Sequence, residues 1–502
     1  MAENPVWKDL TGNGHDLQMK SFSWKGMSGV GGYEMNFDLW SNNNSSTLDI
    51  TVSKTSTHVK VDVKESVYNN NLIYIHKNNW DTNKNHWLKI TSTYEDGDLA
   101  FLFYNDSNTK KIGLPANGYV NILAYPEFKG SYMYISTTSN KQGSFTIEQL
   151  PLYPGALVFD GVDDYGVCEN FPILTKEKGY TVVALRSYLA ESIGYLVYNG
   201  TNALQSAFAF ERSDSLDTSS WGRNSPIRNL LPKLMSYQTS NSYNNNIIFT
   251  GTVIEGDKLI RISAAGGYSN VAIWELVFLD HDATEEELTK IKDYFVKTYP
   301  WLFPDQAWTV TGKTNEDEDR ATIANITGNG NDLVLSNFGF AEGSGYNEEG
   351  EYAGYLVTDG VDDKVQSSSF TMNEDWTIVG DWELLSNVQI NCGIVKAQNV
   401  YLYNTANGLL ISINNPRSLQ SFGTKSLHAI CSDGRLYDRN WVEYEYTVDQ
   451  NFEIVKSSLN IGFNLNNYTQ IAFKNLGIYN NQILSKDDCI KAYNYLQTLK
   501  AK

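Results

Sequence analysis

The chain is dominated by short segments in which apolar and polar side chains alternate. Residues 58–64 (HVKVDVK) alternate at every second position, as a strand with one face on a core does. Residues 99–104 (LAFLFY), 119–125 (YVNILAY) and 131–136 (SYMYIS) follow, separated by turn-rich segments. Short strands at this spacing predict that residues 34–152 form a β-sandwich.

The 3.6-residue period of an amphipathic helix occurs at two places. Residues 284–287 (TEEE) have the pattern of a capping box, and apolar side chains then recur on one helical face up to Pro300. Residues 485–488 (SKDD) begin the same design near the end of the chain. We therefore predict an all-β chain with two short helices.

Two phrases occur twice and in the same order. Residues 155–165 (GALVFDGVDDY) return as residues 354–364 (GYLVTDGVDDK). Residues 11–17 (TGNGHDL) return as residues 327–333 (TGNGNDL). Repeated phrases of this kind indicate duplicated structural modules.

The distances between the repeats reveal an insertion. Gly161 and Gly360 are 199 positions apart, whereas Gly12 and Gly328 are 316 positions apart. The first copy therefore contains 316 − 199 = 117 additional residues between its two phrases. The predicted domains are a discontinuous first module, an inserted β-sandwich and a second module: residues 1–33 with 153–300, residues 34–152, and residues 301–502.

Charge and hydropathy exclude several classes of partner. The 502 residues include 39 basic and 58 acidic side chains, which gives a formal net charge of −19. Such a surface repels nucleic acid and anionic membranes, so we expect neither as a partner. No apolar window of about 18 residues and no basic leader followed by an apolar segment occurs, which predicts neither a membrane span nor a signal peptide.

The cysteines do not form a recognisable framework. Cys168, Cys392, Cys431 and Cys489 are scattered, and none belongs to a Cys-x-x-Cys pair. We expect them to be small buried side chains in a chain that folds in a reducing compartment.

The order of the motifs resembles that of laminin-G-like, concanavalin-A-like lectin modules. In each copy a Gly-Asn-Gly-x-Asp-Leu phrase precedes an Asp-Gly-Val-Asp-Asp phrase, a strand-like segment (residues 180–185 or 376–380), and a closing strand and helix. That family folds as a two-sheet jelly roll. The resemblance implies two jelly-roll sandwiches with short C-terminal helices, to which the inserted β-sandwich is added.

A second resemblance concerns context. The acidic residues 315–319 (NEDED) leading into residues 326–333 are similar to fibre and other virion proteins of phages and prophages of gut anaerobes. This resemblance implies a virion protein that assembles in the host cytoplasm without a signal peptide and contacts other virion proteins. It also implies a homo-oligomer, commonly a trimer, although no heptad segment predicts a coiled-coil stalk.

The repeated acidic phrase allows two interpretations. Six aspartates are concerned, three in each copy: Asp160, Asp163, Asp164, Asp359, Asp362 and Asp363. Asp-Gly favours a tight turn in which the Asp side chain accepts hydrogen bonds from backbone N–H groups. Three hard oxygen ligands within five residues could alternatively hold a structural calcium ion. We favour the turn and expect no cofactor.

The sequence contains no recognisable catalytic motif. The Glu-x-Asp-x-x-Glu strand of laminarinase-like glucanases is absent, and so are a Gly-x-Ser-x-Gly elbow, a His-Glu-x-x-His pair and a P-loop. The acidic residues 316–319 lack alternating apolar partners, which is typical of a solvated loop. The chain is therefore predicted to be non-catalytic.

Aromatic side chains in polar surroundings are the remaining candidates for ligand contact. Trp80 and Trp87 stand in an Asn/Lys/His-rich stretch of the insertion, and Trp221 lies between Ser220 and Gly222. Exposed rings there could stack on the apolar faces of sugars. The alternative, which we favour, is that each tryptophan caps a core.

Three functions are compatible with these features. The first is a non-catalytic virion adhesin, part of a fibre or associated with the tail or head, that presents lectin-like modules to host surface polysaccharide. The second is a purely structural virion protein that contacts capsid, tail or baseplate neighbours. The third is a secreted polysaccharide-degrading enzyme. We expect the first.

Overall fold

The strands and helices below come from a computed structural model of the chain. It describes residues 5–42, 50–64, 72–77, 86–104, 109–122, 132–137, 142–172, 179–190, 195–199, 209–212, 228–231, 234–239, 260–265, 267–350, 352–385, 392–397, 400–405, 408–413, 420–422, 427–446, 456–464 and 467–501. Nearly all regular structure in these residues is antiparallel β-sheet, which confirms the all-β prediction.

Within the described residues up to 150, the elements are thirteen strands and one 3-10 helix. Three strands come first: β1 (Val6–Trp7), β2 (Leu17–Lys20) and β3 (Gly29–Val30). The inserted segment then contributes a 3-10 helix (Phe37–Leu39) and the strands β4 (Ser41–Asn42), β5 (Ile50–Lys54), β6 (His58–Val63), β7 (Leu72–Lys77), β8 (His86–Ser92), β9 (Leu99–Tyr104), β10 (Thr109–Gly113), β11 (Asn117–Ile122), β12 (Tyr132–Thr137) and β13 (Gly143–Gln149).

The next segment completes the first module. Its elements are β14 (Leu157–Asp160), β15 (Tyr165–Cys168), β16 (Thr181–Tyr188), β17 (Tyr195–Asn199), β18 (Ala209–Arg212), β19 (Arg228–Leu231), β20 (Met235–Thr239), β21 (Ile260–Ala265), β22 (Asn270–Leu279) and helix α1 (Glu285–Thr298).

The C-terminal segment holds the second module. Its elements are a 3-10 helix (Pro300–Leu302), β23 (Gln306–Thr309), β24 (Thr322–Ile323), β25 (Leu333–Ser336), β26 (Gly345–Tyr346), β27 (Leu356–Val357), β28 (Lys364–Thr371), β29 (Trp376–Leu384), β30 (Cys392–Ala397), β31 (Val400–Thr405), β32 (Gly408–Ile413), β33 (Gln420–Phe422), β34 (Leu427–Cys431), β35 (Arg435–Asp438), β36 (Glu443–Glu445), β37 (Lys456–Ile461), β38 (Phe463–Asn464), β39 (Asn467–Tyr468), β40 (Ile471–Asn480) and helix α2 (Lys486–Thr498).

These elements form two compact units. The first unit consists of residues 1–34 with 151–298, and the second consists of residues 35–150 with 299–502. The inserted segment interrupts the first module in sequence but belongs to the same compact unit as the second module.

The described strands of the first unit form a sandwich of two six-stranded sheets. Their strand orders are β1-β2-β15-β21-β17-β18 and β19-β20-β16-β22-β14-β3. Met19 and Ile262 from one sheet and Val182 and Ile273 from the other lie in one hydrophobic core. The two sheets therefore bury their apolar faces against each other.

The second unit contains two sandwiches. In the inserted segment, sheets β10-β9-β12-β7-β4 and β11-β8-β13-β6-β5 share a core that includes Val61 and Phe101. In the C-terminal segment, β26-β27-β40-β29-β34-β35-β36 and β24-β25-β28-β37-β30-β31-β32-β33 enclose a core that includes Trp376 and Val365. Strand β23 adds to β40 and buries Trp308.

The duplication inferred from sequence extends to the pairing of strands. Within each module, equivalent residues pair with equivalent partners. In the first module Tyr165 lies opposite Lys20 and Leu157 lies opposite Ile273. In the second, Lys364 lies opposite Ser336 and Leu356 lies opposite Phe473. Register decides which side chains face a core, so this agreement means that the same positions build both interiors.

The two helices begin at the caps that the sequence predicts. At α1 the backbone N–H of Glu287 donates to the Thr284 hydroxyl, and the Glu287 carboxylate accepts from the Thr284 backbone N–H at 2.9 Å. At α2 the Ser485 hydroxyl accepts from the backbone N–H of Asp488 at 3.1 Å. Within the part of the chain that the structure describes, neither helix is long and apolar enough to span a membrane.

Candidate functional site

The acidic phrase of the first module forms a hydrogen-bonded turn between β14 and β15. Asp160 ends β14, and its Oδ1 accepts from the backbone N–H groups of Val162, at 2.8 Å, and Asp163, at 3.4 Å. Gly161 has φ 78°, a conformation in which a side chain would be strained. The Asp-Gly pair thus closes the turn as its sequence predicts.

Asp164 connects this turn to a distant loop. Its Oδ2 accepts from the backbone N–H of Asp160 at 3.0 Å, and its Oδ1 accepts from the Ser28 hydroxyl at 3.0 Å. The Ser28 hydroxyl in turn accepts from the backbone N–H of Ser23 at 2.9 Å. One carboxylate therefore holds together the β14–β15 turn and the loop that leads into β3.

The second module repeats this arrangement. Asp359 Oδ1 accepts from the backbone N–H of Val361 at 2.7 Å, and Asp363 Oδ2 accepts from the backbone N–H of Asp359 at 2.7 Å. Asp363 Oδ1 accepts from the Ser344 hydroxyl at 3.1 Å, and that hydroxyl accepts from the Gly339 N–H at 2.8 Å. We call each set the aspartate latch: Ser23, Ser28, Asp160 and Asp164 in the first module, and Gly339, Ser344, Asp359 and Asp363 in the second.

Burial sets the electrostatics of both latches. Asp164 and Asp363 are fully buried, with 0% and 1% of their surface exposed. Removal from water raises the pKa of each carboxyl to about 6, while the hydrogen bonds from the serine hydroxyl and the backbone N–H act in the opposite direction. The two latches therefore share a raised pKa as well as a geometry.

Each trio of aspartates could also contribute ligands to a cation. One oxygen from each of Asp160, Asp163 and Asp164 lies within 4.8 Å of the others, and the same holds for Asp359, Asp362 and Asp363. Calcium requires six to eight oxygen ligands, and both oxygens of each buried aspartate already accept hydrogen bonds from the protein. The hydrogen bonds account for the turn without an ion, and calcium binding stays a prediction to be tested.

The candidate aromatic residues lie in different situations. Trp87 is 9% exposed, so it presents no ring to solvent and does not provide the exposed stacking surface considered from the sequence. Its indole packs edge-on against Tyr493 of α2, with ring centroids 5.0 Å apart, and against His428 of β34, at 5.4 Å. Trp80 and Trp221 lie outside the described residues.

Trp87 thus belongs to a contact between the inserted sandwich and the second module. Trp441 completes this contact, with its ring centroid 5.8 Å from that of Tyr493 and 5.5 Å from that of His428. We call Trp87, His428, Trp441 and Tyr493 the aromatic contact. A Cβ placed on Gly118 of the inserted sandwich would lie 3.7 Å from the Asn440 carbonyl oxygen, which shows that the two backbones also approach closely.

A buried polar network adjoins the aromatic contact. Asp381 Oδ2 accepts from the Tyr355 hydroxyl and from Gln497 Nε2, both at 2.9 Å. His428 Nδ1 donates to the Gly380 carbonyl oxygen at 3.2 Å. Burial lowers the pKa of His428 to about 4, so this imidazole is neutral at pH 7.

Sequence reasoning did not identify this network. His428 stands in an apolar segment (LHAIC) that is typical of a core strand. A polar side chain inside such a segment is the one local signal, because buried polar groups require partners. It indicates that partners exist but not which they are.

Comparisons with known proteins add little to this geometry. No protein-family model and no curated protein matches the chain. A structure of Trypanosoma rangeli sialidase in complex with sialic acid matches with a TM-score of 0.26 and 9% identity, over 95% of this chain and 90% of the sialidase. The same sialidase with the inhibitor DANA gives a TM-score of 0.27 and 11% identity, over 98% and 97% of the two chains. Likeness at this level supports no conclusion about fold or activity.

Proposed function

We propose that this chain is a non-catalytic phage virion protein, a fibre or tail- or head-associated adhesin, whose two modules bind host surface polysaccharide. The modules are proposed to be jelly-roll sandwiches of the laminin-G-like, concanavalin-A-like lectin type. The protein would assemble in the host cytoplasm, contact other virion proteins and form a homo-oligomer, for which we propose a trimer.

The observation that carries this proposal is the duplication of one sandwich with the same strand register. Two copies of a module give two binding sites on one chain, and linked weak sites gain avidity on a polymer that repeats its epitope. Surface polysaccharides are polymers of this kind. The net charge of −19 argues against nucleic acid as the alternative polymer.

The acidic residues support a non-catalytic function. Asp160 and Asp164, like Asp359 and Asp363 in the second module, are engaged in the turns and latches, where their oxygens accept backbone and hydroxyl hydrogen bonds. A retaining glycosidase needs two carboxyl groups about 5 Å apart that are free to act on a substrate. These four carboxylates serve the fold instead.

Binding of the purified chain to host polysaccharide tests the proposal. The protein is titrated against a panel of capsular and surface polysaccharides and against host cells before and after these are stripped. Saturable binding that disappears on stripping is expected. Trp80→Ala and Trp221→Ala, each checked for an unchanged melting temperature, test whether these two tryptophans contact the glycan, because loss of a contact should weaken binding. Absence of binding across the panel contradicts the adhesin, and release of reducing ends would indicate an enzyme.

One observation favours the second candidate, a purely structural virion protein. Trp87 was one of three candidate sugar contacts, and its ring is used for an internal contact between the inserted sandwich and the second module. Internal rigidity of this kind suits a spacer. Copurification with capsid, tail or baseplate proteins, in the absence of polysaccharide binding, would support this candidate over the adhesin.

A further inference from the structure

Two cysteines from different elements of the second module lie side by side. Cys431 is the last residue of β34, and Cys489 lies in the first turns of α2. Both are fully buried, and each Sγ lies 4.0 Å from the same acceptor, the carbonyl oxygen of Leu484. Leu484 is itself held in place, because its backbone N–H donates to the Thr377 hydroxyl at 3.0 Å.

The two thiols differ in acidity. The Cys489 thiol hydrogen-bonds to Cys431 and, with the nearby Arg435 guanidinium, lowers the pKa of Cys431 despite its burial. Arg435 is fixed close by, since its Nη2 donates to the Leu484 carbonyl oxygen at 3.1 Å. Burial raises the pKa of Cys489. The thiolate is the reactive form of a cysteine, and the Arg435 guanidinium favours that form at Cys431.

The first module has no such pair. Its capping residue Thr284 corresponds to Ser485, which places Leu288 at the position of Cys489. On the strand, Thr239 lies opposite Thr181 as Cys431 lies opposite Thr377. A thiol pair is thus a specific property of the second module and not a requirement of the shared sandwich.

We propose that Cys431 and Cys489 are a disulfide-forming pair that ties α2 to β34 once the protein leaves a reducing compartment. The oxidant is a small-molecule disulfide such as oxidised glutathione. This inference does not depend on the proposed function, since it concerns any environment in which such disulfides accumulate. It also changes the role expected of these two cysteines from inert buried side chains to reactive partners.

The reaction is thiol–disulfide exchange in two steps. The Cys431 thiolate attacks one sulfur of the external disulfide, which forms a mixed disulfide and releases one external thiolate. Cys489 then loses its proton to solvent, attacks Cys431 Sγ and displaces the second external thiolate. Two protein thiols are oxidised to one disulfide, and one external disulfide is reduced to two thiols.

Burial makes the first step depend on local opening. Cys489 follows the Ser485 cap by one turn, and helix ends open with lower free energy than the centre of a sheet. Opening of the first turn of α2 would admit the oxidant to Cys431. Closing would then return Cys489 to its neighbour, so the intramolecular second step is favoured over attack by a further external thiol.

The test is oxidation of the full chain with oxidised glutathione, followed by peptide mapping without reduction. A linked pair of peptides containing Cys431 and Cys489, with loss of two hydrogen atoms from the intact mass, is expected. The melting transition of the second unit should rise by about 4 °C or more, because the bond restricts the unfolded chain. Adding a reductant should reverse both changes.

Three variants separate this pair from other thiol chemistry. Cys431→Ser and Cys489→Ser should each abolish the link and the rise in melting temperature. Cys168→Ser, which alters a buried cysteine of the first module, should leave both intact. Oxidised wild-type protein in which Cys431 and Cys489 stay free, carry glutathione without linking, or link to Cys168 or Cys392 would overturn the proposal, whether or not the serine variants fold.

Discussion

Helices α1 and α2 are copies of one design that are buried to different extents. Both begin at a hydroxyl cap, yet α1 buries Leu288 and Phe295 only, whereas α2 buries seven residues: Cys489, Ile490, Ala492, Tyr493, Asn494, Tyr495 and Leu496. Helix α2 packs against β29, β40 and the 3-10 helix Pro300–Leu302 of its own module, and one ring of the inserted sandwich adds to this contact. The inserted sandwich packs against α2 through Trp87.

Equivalent positions of the two modules carry different residues where the second module forms the aromatic contact. Counted from the caps, the position of Tyr493 in α2 is that of Lys292 in α1, and the strand position of His428 is that of Ser236. Lysine and serine suit a solvated surface, while the aromatic pair suits a buried one. The comparison teaches that the two modules share one scaffold, while one face of the second module differs from the first in carrying the aromatic contact.

Deleting the inserted sandwich should destabilise the second module and leave the first unchanged, and this is the largest effect we expect. In the first unit, the Gly32 carbonyl oxygen accepts from Leu152 N–H at 3.0 Å, so a short bridge can replace residues 35–150 without straining the ends. The first module should stay folded, because an insertion at a loop is dispensable. The second module should lose stability, because Tyr493 and Trp441 become exposed.

Hydrogen exchange of the deletion variant, read separately for peptides of each module, measures both effects. Protection in the first module should match that of the full chain, while α2 and β34 should exchange faster. Unfolding of the first module would mean that the domain boundaries are wrong. Unchanged protection of α2 would mean that the aromatic contact contributes nothing to stability.

A double-mutant cycle between Trp87 and Tyr493 sharpens the comparison. Trp87→Ala removes a buried indole and should lower the free energy of unfolding of the second unit by about 3–5 kcal/mol. Combined with Tyr493→Ala, it should show a coupling energy of about 0.5–1.5 kcal/mol, because the two rings meet edge-on. The matched control pairs Trp87→Ala with Lys292→Ala, which should be additive within about 0.5 kcal/mol. Equal additivity in both cycles would argue against the contact.

Both modules should share one pH dependence, since their latches are alike. Asp164 and Asp363 have pKa values of about 6 in the folded chain, above those of free carboxyl groups, so folding favours their protonated forms. Their contribution to stability is therefore complete below about pH 4 and is lost as the pH rises through about 6. Each carboxyl contributes on the order of 2–3 kcal/mol across this window, since one pKa unit corresponds to about 1.4 kcal/mol.

Unfolding titrations at intervals between pH 4.5 and 6.5 check this dependence. Asp164→Asn should flatten it for the first unit and Asp363→Asn for the second, since an amide does not titrate. Glu287 does not affect the titration over this pH range, because its pKa is about 2 and its contribution to stability is lost only at lower pH. A pH dependence that persists in both variants would show that other groups cause it.

Much of this fold could be predicted from local sequence. Alternation located strands such as β6, the caps located both helices, and the repeated phrases located strands that pair in the same register in both modules. These features depend on neighbours within a few residues or on comparison of the chain with itself. Strand β23 escaped prediction because its partner is β40, far away in the sequence.

The aromatic contact could not be predicted either, because its members are also far apart in the sequence. The sequence favours a buried ring at Trp87 but does not identify its partners. Trp87 lies in β8, and its ring packs against residues more than three hundred positions away. The aspartate turns were predictable because Asp160 bonds to its own neighbours. The tie from Asp164 to Ser28 was not, since it spans the inserted domain.

The smallest expected effect distinguishes a turn from a calcium site. Asp160→Asn and Asp359→Asn keep the Oδ1 acceptor that closes each turn, so either variant should move the melting temperature by less than about 2 °C. Asp160→Ala removes that acceptor and should cost about 1 kcal/mol. EDTA should change nothing in either module. If EDTA lowers the melting temperature and calcium restores it, the trio binds an ion, because loss of a ligand that binds only the folded state destabilises it. Since the latches are alike, that outcome should appear in both modules.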